Sequence, residues 1–159
     1  MRKFEKISFE EFKKSVSDDI DLYNSIELPR RSTKNSCGYD IKSIISGTIL
    51  PGESMIFSTG IKVMMNNDEV LYIYSRSGQG FKNDVSLSNS VGVIDADYYN
   101  NSSNEGHIMI KLINHGDKEY VVNVGDRIAQ GVFMKYLTVD NEGEINNIRE
   151  GGFGSTKGE

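Results

Sequence analysis

From Leu28 onward, short apolar runs alternate with turn residues. The turns fall at Pro51-Gly52, Asn66-Asn67-Asp68, Gly78-Gln79-Gly80, Asn114-His115-Gly116-Asp117 and Gly125-Asp126. Between them lie β-rich strings such as Ile61-Lys62-Val63, Val70-Leu71-Tyr72-Ile73-Tyr74 and His107-Ile108-Met109-Ile110-Lys111-Leu112-Ile113. Many short strands at fairly even spacing predict an all-β sandwich or barrel. Only the N-terminal segment reads as helical. Ser8 followed by Glu11 fits a capping box, and Phe9, Phe12 and Val16 then share one side of a short helix, most simply a packing helix. No internal repeat or linker splits the chain. Residues 100–106 (NNSSNEG) read as a loop or hairpin tip.

Composition narrows the field. A chain of 159 residues suffices for one domain with a real core. A net charge of −5 argues against a general nucleic-acid binder. A polyanionic ligand would therefore need a local basic pocket or a divalent cation. Cys37 is the single cysteine, so no internal disulfide forms, which suits a cytoplasmic location. The start, MRKFEKISFEEF, lacks an apolar run of signal-peptide length, and no stretch has transmembrane length, so no membrane association is expected. His107 and His115 are not at metal-ligand spacing, and one cysteine cannot complete a zinc site. There is no GxxxxGK[ST] loop, no GxGxxG and no serine elbow, and Cys37 lacks the context of a nucleophile.

Five segments carry candidate chemistry. The first is Cys37-Gly38-Tyr39-Asp40-Ile41. The second, Ser75-Arg76-Ser77-Gly78, reads as a turn after a strand that gathers a guanidinium, hydroxyls and N–H donors suited to phosphate; a solvated surface turn is its plain alternative. The third spans residues 89–98. In it Asp95 follows the hydrophobic strand 91–94 and could orient and deprotonate water, or else cap the next bend. Tyr98 offers either hairpin packing or a flat wall against a sugar. The fourth is Gly125-Asp126-Arg127-Ile128-Ala129-Gln130. A strand over residues 128–134 puts Ile128, Gln130, Val132 and Met134 on one face, where Gln130 interrupts apolar company and needs a partner. That partner is a ligand phosphate or a neighbouring subunit. The fifth is the tail, Arg149-Glu150-Gly151-Gly152-Phe153-Gly154-Ser155-Thr156. Its glycines permit close backbone approach, Phe153 could stack on a base, and Arg149, Ser155 and Thr156 suit phosphate oxygens. It reads as a closing arm or as a frayed terminus.

Together these segments, in this order, resemble the motifs of the trimeric dUTPase family, with the match running from about Leu28 to the end. The resemblance implies a jelly-roll-like β domain over residues 28–148, preceded by a helical segment at 1–27 and followed by a glycine-rich arm at 149–159. It also implies a homotrimer with shared active sites, bound Mg²⁺, and hydrolysis of dUTP to dUMP and pyrophosphate. That activity limits uracil in DNA and supplies dUMP for thymidylate synthesis. By resemblance, Asp95 activates the attacking water and Tyr98 packs under the deoxyribose. Asn89 lies beside the nucleoside, and backbone groups through Gly92, Val93 and Ile94 read the uracil edge. Arg76, Ser77, Gly78 and Gln130 contact phosphate, and Asp40 stands near the metal's water shell with no direct protein ligand to the metal. Arg149, Ser155 and Thr156 grip the outer phosphates, while Phe153 and Gly154 cover the base. The chain departs from the family pattern in Ser75, in a longer segment after Tyr98, in a shorter Arg149–Phe153 spacing and in Lys157. The alternatives are a dCTP deaminase-like enzyme of the same fold, a protein-binding regulator on this scaffold, and a non-catalytic β-sandwich ligand binder.

Overall fold

The computed structural model describes residues 1–147 and 149–152. The chain runs β1 (Lys3–Lys6), α1 (Phe9–Ser15), α2 (Ile20–Ser25), β2 (Arg30–Arg31), β3 (Tyr39–Lys42), β4 (Gly47–Ile49), β5 (Ser54–Ser58), β6 (Ile61–Met64), β7 (Glu69–Tyr74), α3 (Ser77–Asn83), β8 (Val85–Leu87), β9 (Gly92–Asp95), a 3₁₀ turn (Ala96–Tyr98), β10 (Met109–Asn114), β11 (Tyr120–Val122) and β12 (Arg127–Lys135). The strands form a five-stranded sheet, β2-β3-β12-β7-β9, a three-stranded sheet, β5-β10-β8, and the pairs β1-β6 and β11-β4. All the ladders are antiparallel. The fold is an all-β jelly-roll sandwich.

The core follows from strand alternation. Ile41, Leu71, Ile73 and Ala129 of the larger sheet face Phe57, Ile110, Leu112 and Leu87 of the smaller one, and all are buried. The other face of the larger sheet carries a row Arg30–Asp40–Gln130–Tyr74, and beside it Tyr72, Val132 and Val93. Val93 and Met134 on this face are half exposed.

The N-terminal segment is integrated with the sandwich: β1 pairs with β6, and Ile7 and Phe12 have no exposed surface. Two short helices stand where the sequence predicts one. Ser8 caps α1 by accepting from the Glu11 N–H, but the reciprocal half of the box comes from elsewhere. The Ser8 N–H donates to Glu105 Oε2 at 3.0 Å, so the carboxylate is supplied by the 100–106 loop. Asp19 caps α2.

Two expectations are corrected. Gly78-Gln79-Gly80 lies inside α3 and is not a turn. Two glycines cost such a helix about 2 kcal/mol against alanine. Buried Gln79 offsets this by accepting from the Arg76 N–H at 2.9 Å and donating to the Ile128 carbonyl at 2.9 Å. Second, a register shift between Arg127 and Ala129 breaks the alternation of β12. Ile128 is buried there, while Gln130, Val132 and Met134 lie on the less buried face, so Gln130 does not interrupt the apolar side.

Candidate active site

Among the described residues β9 is the last strand of its sheet, with no strand neighbour on one edge, so the peptide groups of that edge are placed to read a ligand. A cavity of about 570 Å³ opens beside it, lined by Asn89, Gly92, Val93, Ile94, Asp95 and Tyr98. That volume suits a small-molecule ligand. The residues of the third segment thus line one cavity. The cavity floor is apolar, from Ile73 on the larger sheet and Leu87, Ile108 and Ile110 opposite it. Sequence reasoning missed these residues, because nothing in a strand's own pattern distinguishes pocket floor from core.

The turn into β9 is tight. Ser90 sits in the left-handed region at φ 61°, and the Val91 N–H reaches the Asn89 carbonyl at 2.6 Å. A Cβ on Gly92 would stand 3.0 Å from Ile73 Cβ, so this strand lies close on its neighbour.

Asp95 ends β9 and precedes the 3₁₀ turn, yet its carboxylate makes no capping hydrogen bond there. The carboxylate is half exposed at the rim. The turn-capping alternative for Asp95 therefore fails. Arg149 donates to Asp95 Oδ2 at 2.5 Å and to Asp97 Oδ1 at 2.6 Å. It stands over these two acids, apart from the second-segment residues. Gly152 lies on the Tyr98 ring, where an added Cβ would meet Cε2 at 2.6 Å. Phe153, Gly154, Ser155 and Thr156 lie outside the described residues.

Tyr98 is almost fully buried. Its hydroxyl donates to the His107 carbonyl at 3.1 Å and accepts from Asn104 Nδ2 at 2.8 Å. Burial pushes the phenol above its ordinary pKa, so it stays neutral. The 100–106 segment is no projecting tip: Asn101 is buried within it.

A second cluster forms around Asp40. Its Oδ1 accepts from Arg76 Nε at 3.0 Å, and its Oδ2 from Arg127 at 3.2 Å and from the Ser32 hydroxyl at 2.6 Å. Burial raises the Asp40 pKa, but the Ser32 hydroxyl and the two guanidinium groups outweigh it and hold the carboxyl below its ordinary value. Gln130 donates to the Ser75 carbonyl at 3.1 Å. Gly38 leaves room for it, since a Cβ there would collide with Gln130 Oε1. Ser77 and Gly78 begin α3, where the first N–H groups lack helical acceptors. Sequence reasoning took Gln130 from the fourth segment and gave no role to Arg127, whose guanidinium the structure places on Asp40.

The two clusters do not meet within one chain. Asp95 pairs with Val70, and Asp40 aligns through Gln130 with Tyr74. Four residues along β7 and three strand spacings separate them, roughly 20 Å.

The described residues contain no group of three His, Cys, Asp or Glu able to hold a metal. None of their helices is long and apolar enough to cross a membrane.

Fold and site define a β-sandwich with a cavity against an edge strand and a carboxylate at its rim. The family model for dUTPase matches residues 24–157. A deoxyuridine 5'-triphosphate nucleotidohydrolase of Lactococcus lactis is 48% identical over 132 residues, covering 82% of this chain and 88% of the relative. One from Actinobacillus pleuropneumoniae is 36% identical over 138 residues, covering 82% and 87%. The crystal structure of dUTPase from Streptococcus mutans superposes with a TM-score of 0.71 at 40% identity, covering 87% of this chain and 98% of that one. The chain belongs to the dUTPase family.

Proposed function

We propose that this chain hydrolyses dUTP to dUMP and pyrophosphate by water attack on the α-phosphorus. The observation that carries this reading is the cavity beside edge strand β9, with Asp95, which does not cap the following turn, at its rim, in a chain of this family. Peptide groups on that edge present fixed donors and acceptors to a uracil. A site built on such groups rejects a base with mismatched hydrogen-bonding positions by about 10⁴ or more. Tyr98 forms the wall at the sugar. Asp95 orients the water and takes its proton, a role worth about 10²–10⁴ in rate.

The phosphates need cations, and the Arg76, Arg127 and Gln130 cluster supplies contacts suited to them. That cluster lies roughly 20 Å from Asp95 on its own chain, farther than a triphosphate reaches. A neighbouring copy supplies it instead. Half-exposed Val93 and Met134 on the sheet face between the two clusters are the apolar surface on which that copy seats. This supports a homotrimer with shared sites. Mg²⁺ would neutralise the triphosphate and keep most of its waters. Both Asp40 oxygens already accept hydrogen bonds, so Asp40 serves the arginines first and the ion's water shell at most indirectly. The arm carrying Arg149 closes over the cavity.

The test is pyrophosphate release from dUTP, UTP, dTTP and dCTP, with and without Mg²⁺. Rapid, Mg²⁺-dependent release from dUTP alone is expected. Ammonia release from dCTP would replace this reading with a deaminase. Asp95→Asn is expected to lose turnover while still binding dUTP; unchanged turnover would remove Asp95 from the mechanism.

A further inference from the structure

The 100–106 segment makes contacts that a simple connection would not need. Asn104 Nδ2 donates to the Tyr98 hydroxyl at 2.8 Å. Its Oδ1 accepts from Asn101 Nδ2 at 2.9 Å and from the Gly106 N–H at 3.1 Å. The backbone donor at Gly106 fixes which end of the amide is oxygen, so the nitrogen must face the phenol. Asn101 Nδ2 also donates to the Tyr98 carbonyl at 2.8 Å. Gly106 sits at φ 84°, where an added Cβ would press on the Tyr98 carbonyl at 2.6 Å. Tyr98 is therefore held at both ends, by its hydroxyl and by its backbone.

The segment is itself anchored. Glu105 accepts from the Ser8 N–H at 3.0 Å and from Lys62 Nζ at 3.1 Å, and Lys14 Nζ reaches the Ser103 carbonyl at 2.7 Å. Glu105 lies below its ordinary pKa: burial raises it, but the Ser8 and Lys62 contacts outweigh that. It stays ionised as the anchor.

We infer that Asn104 is a positioning residue for Tyr98, and that through it the 100–106 segment sets how strictly the pocket excludes a ribose. The inference rests on the dUTP reading. A ring fixed only by packing can pivot and make room for a 2′-hydroxyl. A ring whose hydroxyl is held by both Asn104 and the His107 carbonyl cannot pivot without breaking a buried hydrogen bond. Selectivity then depends on a side chain that does not line the cavity.

The experiment measures kcat/KM for dUTP and UTP in wild type, Asn104→Leu, Tyr98→Phe and the double variant. Asn104→Leu is expected to raise the UTP:dUTP ratio of kcat/KM by about three- to tenfold, the range one net hydrogen bond spans. Most of the change should appear in the two KM values. In the Tyr98→Phe background, which has no hydroxyl to hold, Asn104→Leu should change the ratio no further. A structural role alone would lower both substrates together and leave the ratio unmoved; that result overturns the inference, as does an equal shift in the Tyr98→Phe background. Asn104→Asp is the second variant should the leucine form not fold. It keeps the shape but replaces the donor, and the same direction is expected; an unmoved ratio there is equally decisive. Wild type inert toward dUTP would instead overturn the dUTP reading, and the inference with it.

Discussion

His107 makes the stability of this fold depend on pH in a window where few other groups titrate. Its side chain has no exposed surface, and burial lowers its pKa from 6.5 to about 4. Nε2 accepts from the Gly60 N–H at 3.0 Å, which places the proton of the neutral ring on Nδ1, toward the Ser15 hydroxyl at 3.4 Å. Protonation would set one donor against another at Gly60. The unfolded chain takes up that proton near pH 6.5 and the folded chain resists until about pH 4. Stability is therefore full above pH 6.5 and falls as pH drops toward 4. Between pH 7 and 5 the loss is about 2 kcal/mol, growing to about 3 kcal/mol at pH 4.

Urea unfolding at fixed protein concentration, stepped from pH 7 to pH 5, measures the slope. The fixed concentration matters because assembly adds its own stability. Stopping at pH 5 avoids the carboxylates Asp40, Glu69 and Glu105, whose pKa values lie below their ordinary ones and whose contribution is lost at lower pH. His107→Gln is the control: its amide oxygen can accept from Gly60 but does not titrate. The variant should lose the slope between pH 7 and 5 while retaining the fold. A slope unchanged in His107→Gln would refute the reasoning.

Gly152→Ala should push the arm off the Tyr98 ring at about 1–3 kcal/mol, read as a roughly five- to hundredfold fall in kcat/KM with unfolding unchanged. Gly38→Ala should displace the Gln130 amide from Ser75 and raise the KM for dUTP about fivefold, since one hydrogen bond is at stake; a KM equal to wild type would show that the amide does not contact substrate. Phe57→Ala, in the centre of the core, should cost about 3–5 kcal/mol in chemical unfolding. Asp95→Asn and Arg76→Ala should each be inactive alone, yet regain activity when unfolded together and refolded as a mixture. Random assembly leaves about a quarter of the sites with both wild-type contributions, and no recovery would place both residues in the same chain's site.

The β fold was legible because turn residues punctuate it at short intervals and the strands carry their own apolar alternation. The third segment was legible too. A carboxylate directly after a hydrophobic strand must sit at a strand end, and Asp95 does. What the sequence hid was hidden for physical reasons. α3 contains Gly78 and Gly80 and has little helical propensity; it exists because Gln79 finds two partners, one of them the Ile128 carbonyl far along the chain. The Gln130 face was misread because period-2 alternation assumes an unbroken ladder, and the shift after Arg127 breaks it. The 100–106 segment looked like solvent-facing polar chain. Its asparagines are polar because they bind each other, Tyr98 and the backbone, which composition alone cannot distinguish from hydration.

The two candidate clusters lie on one sheet, and that placement has a consequence for how the chemistry is assembled. β7 is the ruler: Tyr74 marks the Asp40 and Gln130 row, and Val70 marks Asp95. A strand paired on both sides, as β7 is with β12 and β9, does not shorten, so the two rows keep their spacing within one chain. On the proposed reading, in which one substrate touches both rows, the phosphate contacts that meet Asp95 come from a second copy of the chain. The mixture of Asp95→Asn and Arg76→Ala decides this, because activity returns only if the two residues of one site come from different chains.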